Sequence, residues 1–246
     1  MRVDVFFTPL GVTPGDVTGR PVIVLDILRA TTTMIHALAN GARAVVPASA
    51  PDEAIRIAQA LEPSGRLLAG ERRAQRIEGF DLGNSPAEMT AEVVADKTIV
   101  MATTNGTPAF GVLEAARPVF VAAATNFSAV VAQARPAAEA AGGVAILCAG
   151  RERMFALEDA YAAGRFAQAL LPLGGRRTAA LNDAAVAALE LVRRYGDKWK
   201  NAVRASAHAR DLIALGFRQD VLAASEVDRH AIVPVYQDRQ VTVPVA

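Results

Sequence analysis

The sequence predicts an α/β class fold of three layers, α/β/α, in which a mostly parallel mixed sheet lies between two layers of helices. Short and almost continuously apolar runs, such as "PVIVLDI", "TIVMAT" and "VAILCAG", are typical of strands that are buried on both faces. Alanine-rich segments with helical periodicity separate these runs. Each segment is long enough for the crossover that joins two parallel strands.

The elements alternate regularly along the chain. The runs that predict strands are RVDVFF, PVIVLDI, AVVPA, RLLAGE, TIVMAT, PVFVAAA and VAILCAG. The helices predicted between them cover about 30–40, 51–62, 86–96, 106–116, 126–140 and 157–171.

The C-terminal third of the sequence has a different character. A charged helical segment is predicted near 178–216, with a break near Tyr195, Gly196 and Asp197. Two more strand candidates, "HAIVPVYQ" and "QVTVPV", follow it, and their prolines predict positions at an edge of the sheet, as a hairpin or as separate strands. Since no linker rich in Gly, Ser or Pro separates these parts, we predict one α/β domain over 1–246.

Composition excludes several classes of partner. With 52% hydrophobic residues, the 246-residue chain can bury a sizeable core. The net charge of +1 provides no global attraction to nucleic acid or to a membrane surface, so neither is expected as a partner. A single cysteine and the absence of a signal-peptide pattern predict a cytoplasmic protein. The oligomeric state stays open, with a homo-oligomer as one option.

Polar residues follow five of the predicted strands. In open α/β sheets, ligands bind beyond the carboxyl ends of the strands, where loops from several strands meet. Turns alone account for Gly, Asp, Asn and Ser at such places. They do not account for acids that occur together with arginines. The polar groups in question are Asp26 with Arg29, Glu71 with Arg72, residues 103–107, Thr125 with Asn126, and Arg151.

The segment "LDILRATTT" has two interpretations. In the structural one, a threonine caps the following helix and Asp26 accepts backbone N–H groups at the end of the strand. In the functional one, Thr31, Thr32 and Thr33 form a first helical turn that surrounds a phosphate, and Arg29 adds a charged donor.

The segment "TTNGTPAF" has the same two interpretations. It is either an ordinary capped turn or a second anion-binding helix start formed by Asn105, Gly106 and Thr107, in which Gly106 lets the backbone approach a ligand. Neither segment has the glycine spacing and lysine of a Walker A loop, and no GxGxxG follows a strand. Nucleotide binding is therefore disfavoured.

Acids and arginines are mixed in "GERRAQRIEGFDLGNSPAEM", residues 70–89. A solvated loop that ends in a Ser85 cap explains its last part. It does not explain an acid flanked by Phe80 and Leu82, and we therefore predict a functional role for Glu71 or Asp81.

Carboxylates are the predicted metal ligands. The three histidines occur in no metal-ligand spacing and the cysteine has no partner, so zinc is disfavoured. Asp26, Glu71 and Asp81 instead offer the oxygen ligands that Mg²⁺ prefers. Glu158 and Asp159 either add oxygen ligands or simply favour a helix start.

Two other reactive side chains are predicted to have no catalytic role. Cys148 is expected to be a buried small apolar residue, because no base lies near it in the sequence. His208 lies in the charged helical segment and is expected at the surface or in an interface.

Taken in order, "LDILRATTT", "GERRAQRIEGFDLGNSPAE", "TTNGT", "CAGR" with "FALEDAY", and "SAHARDLIALG" resemble the 2-phosphosulfolactate phosphatases of the ComB type, from about residue 3 to 234. The resemblance implies an α/β/α fold and a small anionic phosphorylated substrate. The implied reaction is Mg²⁺-dependent hydrolysis of 2-phospho-3-sulfolactate to 3-sulfolactate and phosphate, a step toward coenzyme M. The chain departs from the family by having less glycine at 73–75 and at 152–153, which bears on the substrate.

The resemblance and the residues together lead to a hypothesis for the site. Mg²⁺ held by some of Asp26, Glu71 and Asp81 bridges the phosphate. The helix starts at 31–33 and 105–107 surround phosphoryl oxygens. Arginines neutralise the anionic groups of the substrate, and those predicted are Arg29, Arg72 and Arg151.

Three alternatives stay open. Asp26 either serves the metal and the attacking water or acts as a nucleophile, although the second aspartate of a D-x-D motif is absent because position 28 is Leu28. The substrate is either 2-phospho-3-sulfolactate or another phosphorylated 2-hydroxy acid. The protein is either an enzyme or a noncatalytic polyanion-binding protein.

Overall fold

The computed structural model describes residues 1–113, 115–171 and 179–244. Its strands are β1 (Arg2–Phe6), β2 (Val22–Leu25), β3 (Ala44–Ala48), β4 (Arg66–Arg72), β5 (Gln75–Arg76), β6 (Thr98–Ala102), β7 (Val119–Ala122), β8 (Gly143–Cys148), β9 (Ala180–Leu181), β10 (Val235–Gln237) and β11 (Gln240–Thr242). Its helices are α1 (Pro14–Val17), α2 (Ala30–Ala39), α3 (Pro51–Gln59), α4 (Ala91–Val94), α5 (Gly106–Ala109), α6 (Phe127–Ala140), α7 (Leu157–Leu170), α8 (Asp183–Tyr195), α9 (Trp199–Ala205), α10 (Ala207–Ala214) and α11 (Arg218–Ala223).

The described strands join one mixed sheet in the order β5-β4-β6-β3-β11-β10-β7-β2-β8-β1-β9. The neighbours in β7-β2-β8-β1-β9 are parallel, and so are those in β4-β6-β3. Antiparallel pairs occur where β10 and β11 enter the sheet and where β5 turns back on β4. The predicted mostly parallel mixed sheet is confirmed.

Helices cover both faces of this sheet. In β2, Ile23 and Leu25 pack in one core with residues of α6, α7 and α8. Val22 and Val24 point to the opposite face and pack in a second core with residues of α2 and α5. Successive side chains of a strand point to opposite faces, so continuous apolar runs produce two cores. The predicted three-layer α/β/α arrangement is confirmed.

The predicted helices are present, but two of them are interrupted. The range 86–96 contains a 3₁₀ turn over Pro86–Glu88 and then α4, and the extended Thr90 (ψ 157°) separates these two pieces. The range 106–116 contains α5 and a 3₁₀ turn over Phe110–Val112. The Ser85 hydroxyl caps the first of these turns, since it accepts the N–H of Ala87 at 3.2 Å.

The prediction that the last two strands lie at an edge of the sheet is wrong. They form an antiparallel hairpin, β10–β11, that lies between β7 and β3 in the interior of the sheet. Pro234 immediately precedes β10 and contributes only its carbonyl, which accepts the N–H of Val121 at 2.9 Å. The missing proline N–H therefore removes no hydrogen bond between strands. The hairpin joins the parallel strands that begin at β7 to those that begin at β3.

The predicted C-terminal helical segment is confirmed from 183 onward, as α8 to α11, whereas position 178 lies outside the described residues. The chain turns between α8 and α9 at Gly196, which has φ +60°. Trp199 then packs edge-on against Tyr161 and Phe127, with ring centroids 5.2 and 5.6 Å away. These contacts hold α9 against the core, and α10 and α11 follow it to the carboxyl edge of the sheet. That 1–246 form one domain stays a prediction.

Candidate active site

A cavity of about 420 Å³ opens at the carboxyl edge of the parallel strands. Its wall is built from residues that follow β2, β4, β6 and β8, together with residues of α10. Among the residues lining it are Asp26, Arg29, Glu71, Asn105, Arg151 and His208. The structure thus brings together residues from four of the five strand ends at which the sequence places polar groups, as the topology of a parallel sheet requires.

Asp26 lies in the buried wall of this cavity, directly after β2. Its Oδ1 accepts the N–H of Ala30 at 3.2 Å, at the start of α2. Burial raises the pKa of Asp26 to about 7, while the charge of His208 and the Ala30 hydrogen bond lower it and the charges of Glu71 and Glu158 raise it. Asp26 is therefore a carboxyl group that exchanges a proton near neutral pH.

Gly106, the first residue of α5, packs against this carboxylate. A Cβ at position 106 would lie 2.5 Å from Asp26 Oδ2 and 2.5 Å from the Ala30 Cβ. Asp26 and Ala30 therefore occupy the space that the sequence analysis reserved for a ligand. Gly106 allows α5 to approach α2 closely, and it does not line the cavity.

Glu71 connects two loops of the cavity wall. Its Oε1 accepts the N–H of Thr104, after β6, at 2.8 Å. Its Oε2 accepts the N–H of Ala74, in the turn after β4, at 2.8 Å. A carboxylate oxygen has a second lone pair, so Glu71 can still face a cation or a water in the cavity.

Arg29 lines the cavity and is held by partners within the protein. Its guanidinium forms an ion pair with Asp220 of α11 at 2.6 Å, and each side chain is only 3% exposed. The same guanidinium stacks over the Phe217 ring, 4.4 Å from its centroid, and donates to the Ala74 carbonyl at 3.4 Å. Its charge is largely compensated before any substrate binds.

The other two predicted arginines differ in position. Arg151 lies at the mouth of the cavity and pairs with the exposed Asp211 at 2.7 Å. Arg72 donates to the Glu71 carbonyl at 3.1 Å and does not line the cavity. The cavity is instead lined by Arg73, the next residue, which the sequence analysis did not propose.

The three threonines of α2 use their hydroxyls within the protein. Thr31 donates to the Asp26 carbonyl at 2.9 Å, Thr32 to the Ile27 carbonyl at 2.9 Å and Thr33 to a carbonyl farther along the chain at 3.0 Å. None of the three lines the cavity. Of the structural interpretation, the structure contains the hydrogen bond from the Ala30 N–H to Asp26, but no threonine caps the helix, because its N-cap residue is Arg29 and has no side-chain cap.

In the loop after β6, some residues form a capped turn and another lines the cavity. Thr107 and Thr103 form reciprocal hydrogen bonds, since each hydroxyl accepts the backbone N–H of the other residue at 3.0 Å. Asn105 lines the cavity, and its Oδ1 accepts the N–H of Glu152 at 2.7 Å. The threonines form the turn, and Asn105 connects it to the loop after β8.

The structure does not bring Asp81 to this site. Its side chain is exposed, and its carboxylate accepts the N–H of Leu68, in the middle of β4, at 2.8 Å. Over the described ranges, no three His, Cys, Asp or Glu side chains are placed to hold a metal ion together. Of the three carboxylates predicted as metal ligands, only Asp26 and Glu71 share the cavity.

His208 is a further cavity residue that was not predicted as part of the site. Its expected position at the surface or in an interface is wrong, because its side chain is 17% exposed and lines the cavity. His208 Nδ1 lies 3.1 Å from Oε1 of Glu158, which is buried. The signals that could have led to this pair are the adjacent acids of "FALEDAY" and the histidine of "SAHARD".

Asp159, next to Glu158, has a structural position. Its two oxygens accept the N–H of Ile27 at 2.8 Å and that of Gly150 at 3.1 Å, so that it ties the ends of β2 and β8 together. Burial, followed by the charges of Asp26 and Glu158, raises the pKa of Asp159 well above its usual value, although the two N–H groups oppose the shift.

Two other observations bear on the sequence predictions. Burial raises the pKa of the Cys148 thiol well above its usual value, which agrees with its prediction as a buried apolar residue. None of the helices in the described residues is both long enough and apolar enough to span a membrane. The cytoplasmic location and the oligomeric state stay predictions.

The sheet and its polar cavity define an α/β protein with a cavity lined by carboxylates and arginines at the carboxyl edge. The family model described as 2-phosphosulpholactate phosphatase matches residues 7–239. The chain therefore belongs to the 2-phosphosulfolactate phosphatase family, whose members are phosphoric monoester hydrolases.

Curated relatives agree with this assignment over nearly their whole length. A probable 2-phosphosulfolactate phosphatase of Symbiobacterium thermophilum is 38% identical over 92% of this chain and 95% of the relative. The proteins of the same name from Synechococcus sp. and Clostridium beijerinckii are 39% and 33% identical, over 95% and 98% of this chain and 96% and 99% of the relatives.

Proposed function

We propose that this protein hydrolyses 2-phospho-3-sulfolactate to 3-sulfolactate and phosphate, with Mg²⁺ as its cofactor. The family match supports the substrate class, and the observation that carries the proposal is the joint position of Asp26, Glu71 and His208 around one cavity at the carboxyl edge of the sheet. In this proposal, 3-sulfolactate serves as a precursor of coenzyme M.

The donor set of the cavity fits Mg²⁺ bound together with a substrate. Mg²⁺ usually takes one or two carboxylates and completes its coordination with waters and phosphate oxygens, and Asp26 and Glu71 supply those carboxylates. Burial, and to a smaller extent the charges of Glu71 and Glu158, raise the pKa of Asp26, and a cation beside Asp26 would offset the cost of its buried charge. When bound, Mg²⁺ would offset the negative charge of the phosphate group.

Asp26 is proposed to orient the attacking water and to accept its proton. The carboxyl group is buried in the wall of the cavity, and in its ionised form it can accept a proton from a water held there. Although Oδ1 accepts the Ala30 N–H, each carboxylate oxygen has a second lone pair, so Asp26 can still accept a hydrogen bond from a water in the cavity.

His208 is proposed to donate the proton that the leaving oxygen takes as the P–O bond breaks. Oε1 of Glu158 lies 3.1 Å from Nδ1, so it can accept a proton held on Nδ1 and orient the ring. Ring geometry then places Nε2–H on the side of the imidazole away from Glu158. After the transfer, His208 is a neutral imidazole that still donates to Glu158 through Nδ1.

Phosphate release from a panel of phosphorylated 2-hydroxy acids, measured with Mg²⁺ and then with EDTA, tests the proposal. We expect 2-phospho-3-sulfolactate to be hydrolysed best and EDTA to abolish turnover. Preference for another member of the panel would mean that the substrate is that ester and not 2-phospho-3-sulfolactate. Activity that persists in EDTA would contradict the role of Mg²⁺. Binding without turnover of any ester would favour the polyanion-binding alternative.

The variant Asp26→Asn tests the site itself. We expect it to lower kcat by about 100-fold or more, because it cannot accept the proton of the water. Asp52→Asn, at an exposed position of α3, is the matched control for the loss of one aspartate charge. Near-normal turnover by Asp26→Asn would restrict Asp26 to a structural role at the start of α2.

A further inference from the structure

Arg73 differs from the other arginines of the cavity because it has no protein partner. Arg29 is paired with Asp220 and Arg151 with Asp211. Arg73 lines the same cavity, and within the parts of the chain that the structure describes it forms neither a hydrogen bond nor an ion pair. Among the arginines that line the cavity, the exposed Arg73 is therefore the one for which the described residues supply no partner.

The backbone at Arg73 is held in a conformation that favours glycine. Arg73 and Ala74 have φ values of +52° and +63° and form the two-residue turn between β4 and β5. Turns of this kind need a positive φ at both positions, where side chains other than those of Gly, Asn and Asp are disfavoured. The chain keeps an arginine at a position where glycine would relieve strain, and such strain is most often retained at functional sites.

A second turn of the same kind lies beside the cavity and contains one acid and one base. Glu152 and Arg153 have φ values of +49° and +64°, between Arg151 and Met154, which pair as an isolated bridge. Glu152, at the first position, also lines the cavity. Close to the Glu152 carboxylate an anionic group of the substrate would be disfavoured, whereas close to the Arg73 guanidinium it would be favoured.

We propose that Arg73 is a specificity-determining residue that binds the carboxylate next to the phosphate ester of the substrate. This inference rests on the proposed phosphatase function, and it assigns a role in recognition rather than in bond breaking. Arginine binds carboxylates through paired N–H donors, and Glu152 disfavours them close to its own carboxylate.

A pair of esters that differ only in this carboxylate tests the role of Arg73. 2-Phospholactate carries a carboxylate where isopropyl phosphate carries a methyl group. Arg73→Gly is expected to raise KM for 2-phospholactate and for 2-phospho-3-sulfolactate by about 10- to 100-fold, the effect of losing one charge-assisted hydrogen bond. It is expected to leave KM for isopropyl phosphate unchanged and to raise Tm, because the strain at position 73 is relieved.

The turn between β10 and β11 supplies the matched control. Asp238 there has φ +51°, close to the value for Arg73, and lies outside the cavity lining. Asp238→Gly should leave every KM at its wild-type value. Equal changes of KM for both esters in Arg73→Gly, or no change for either, would overturn the role of Arg73 while leaving the hydrolase function intact. A wild-type protein that hydrolyses no ester would overturn both proposals.

Discussion

Arg29 and Asp220 form a buried ion pair that joins two parts of the chain 191 residues apart in sequence, with a distance of 2.6 Å between Nη1 and Oδ2. Asp220 also accepts the hydroxyl of Ser85 at 2.7 Å. α11 is therefore attached to the loop after β2 and to the loop before α4. Through this attachment, the C-terminal helices close the cavity wall that the parallel strands begin.

Asp220→Asn should destabilise the protein strongly. It leaves the Arg29 guanidinium buried beside a neutral amide, and loss of one partner of a buried pair costs about 3–5 kcal/mol. Urea unfolding followed by circular dichroism measures the change in the free energy of unfolding. Glu226→Gln, which removes an exposed partner of Arg229, should cost about 1 kcal/mol or less. Equal losses in the two variants would contradict the structural role of the buried pair.

The sequence was sufficient to predict the layers and most helices, because burial on two faces leaves a local signature in runs such as "PVIVLDI". It was not sufficient to place the β10–β11 hairpin. Proline predicts an edge only if its missing N–H would face a neighbouring strand, and Pro234 lies just outside the pairing. Whether the N–H position of a proline faces a neighbouring strand depends on the register of strand pairing, and the sequence of the strand alone does not determine that register.

The candidate site was predictable where it depends on topology. Parallel strands bring their carboxyl ends together, so Asp26, Glu71 and Asn105 share a cavity. The hydrogen-bond partner of each side chain was less predictable. The residue type alone does not tell whether a threonine hydroxyl binds a ligand or a backbone carbonyl. His208 was missed because its partner, Glu158, is 50 residues away in sequence and on another helix.

Gly106→Ala should reduce both activity and stability. Its Cβ would lie 2.5 Å from Asp26 Oδ2, so that Asp26 must shift, and such overpacking costs about 1–3 kcal/mol. Thermal unfolding and phosphate release measure the two effects. Gly111→Ala is the matched control, because a Cβ there meets nothing within 4 Å. If Gly106→Ala behaved like Gly111→Ala, the close packing of α5 on Asp26 would be refuted.

Asp81→Asn and Glu71→Gln should distinguish a carboxylate that binds Mg²⁺ from one that only accepts a backbone N–H. Asn can still accept the Leu68 N–H, so we expect Asp81→Asn to keep its activity and its affinity for Mg²⁺. Gln can accept only one of the two N–H groups that Glu71 binds, at a cost of about 1–3 kcal/mol, and it loses the charge that faces the cavity. Calorimetric titration with Mg²⁺ measures the affinity, and weaker binding by Asp81→Asn would return Asp81 to the metal site.

The protein should lose stability in mild acid partly through His230. Burial, together with the charges of His36 and Arg229, lowers the pKa of His230 from 6.5 to about 4. Between these values the unfolded chain binds more protons than the folded one, so the free energy of unfolding falls as pH decreases through this window. His230→Gln should reduce that fall by roughly 1 kcal/mol, a value discounted for solvent screening. Urea midpoints at several pH values measure it, and parallel curves for the two proteins would exclude this contribution.

His208→Gln should reduce hydrolysis according to the basicity of the leaving oxygen. A proton donor matters most when the leaving oxygen is a poor anion, as in 2-phospholactate, and least for 4-nitrophenyl phosphate, whose leaving group is stable without a proton. We expect kcat/KM to fall by about 100-fold or more for the first ester and by less than about 10-fold for the second. His230→Gln controls for the loss of a histidine outside the cavity lining. Glu158→Gln should show the same preference in weaker form, because the glutamine oxygen can still accept from Nδ1 but orients the ring through a weaker, uncharged hydrogen bond. Equal losses on both esters would mean that His208 supports the cavity wall instead of donating a proton.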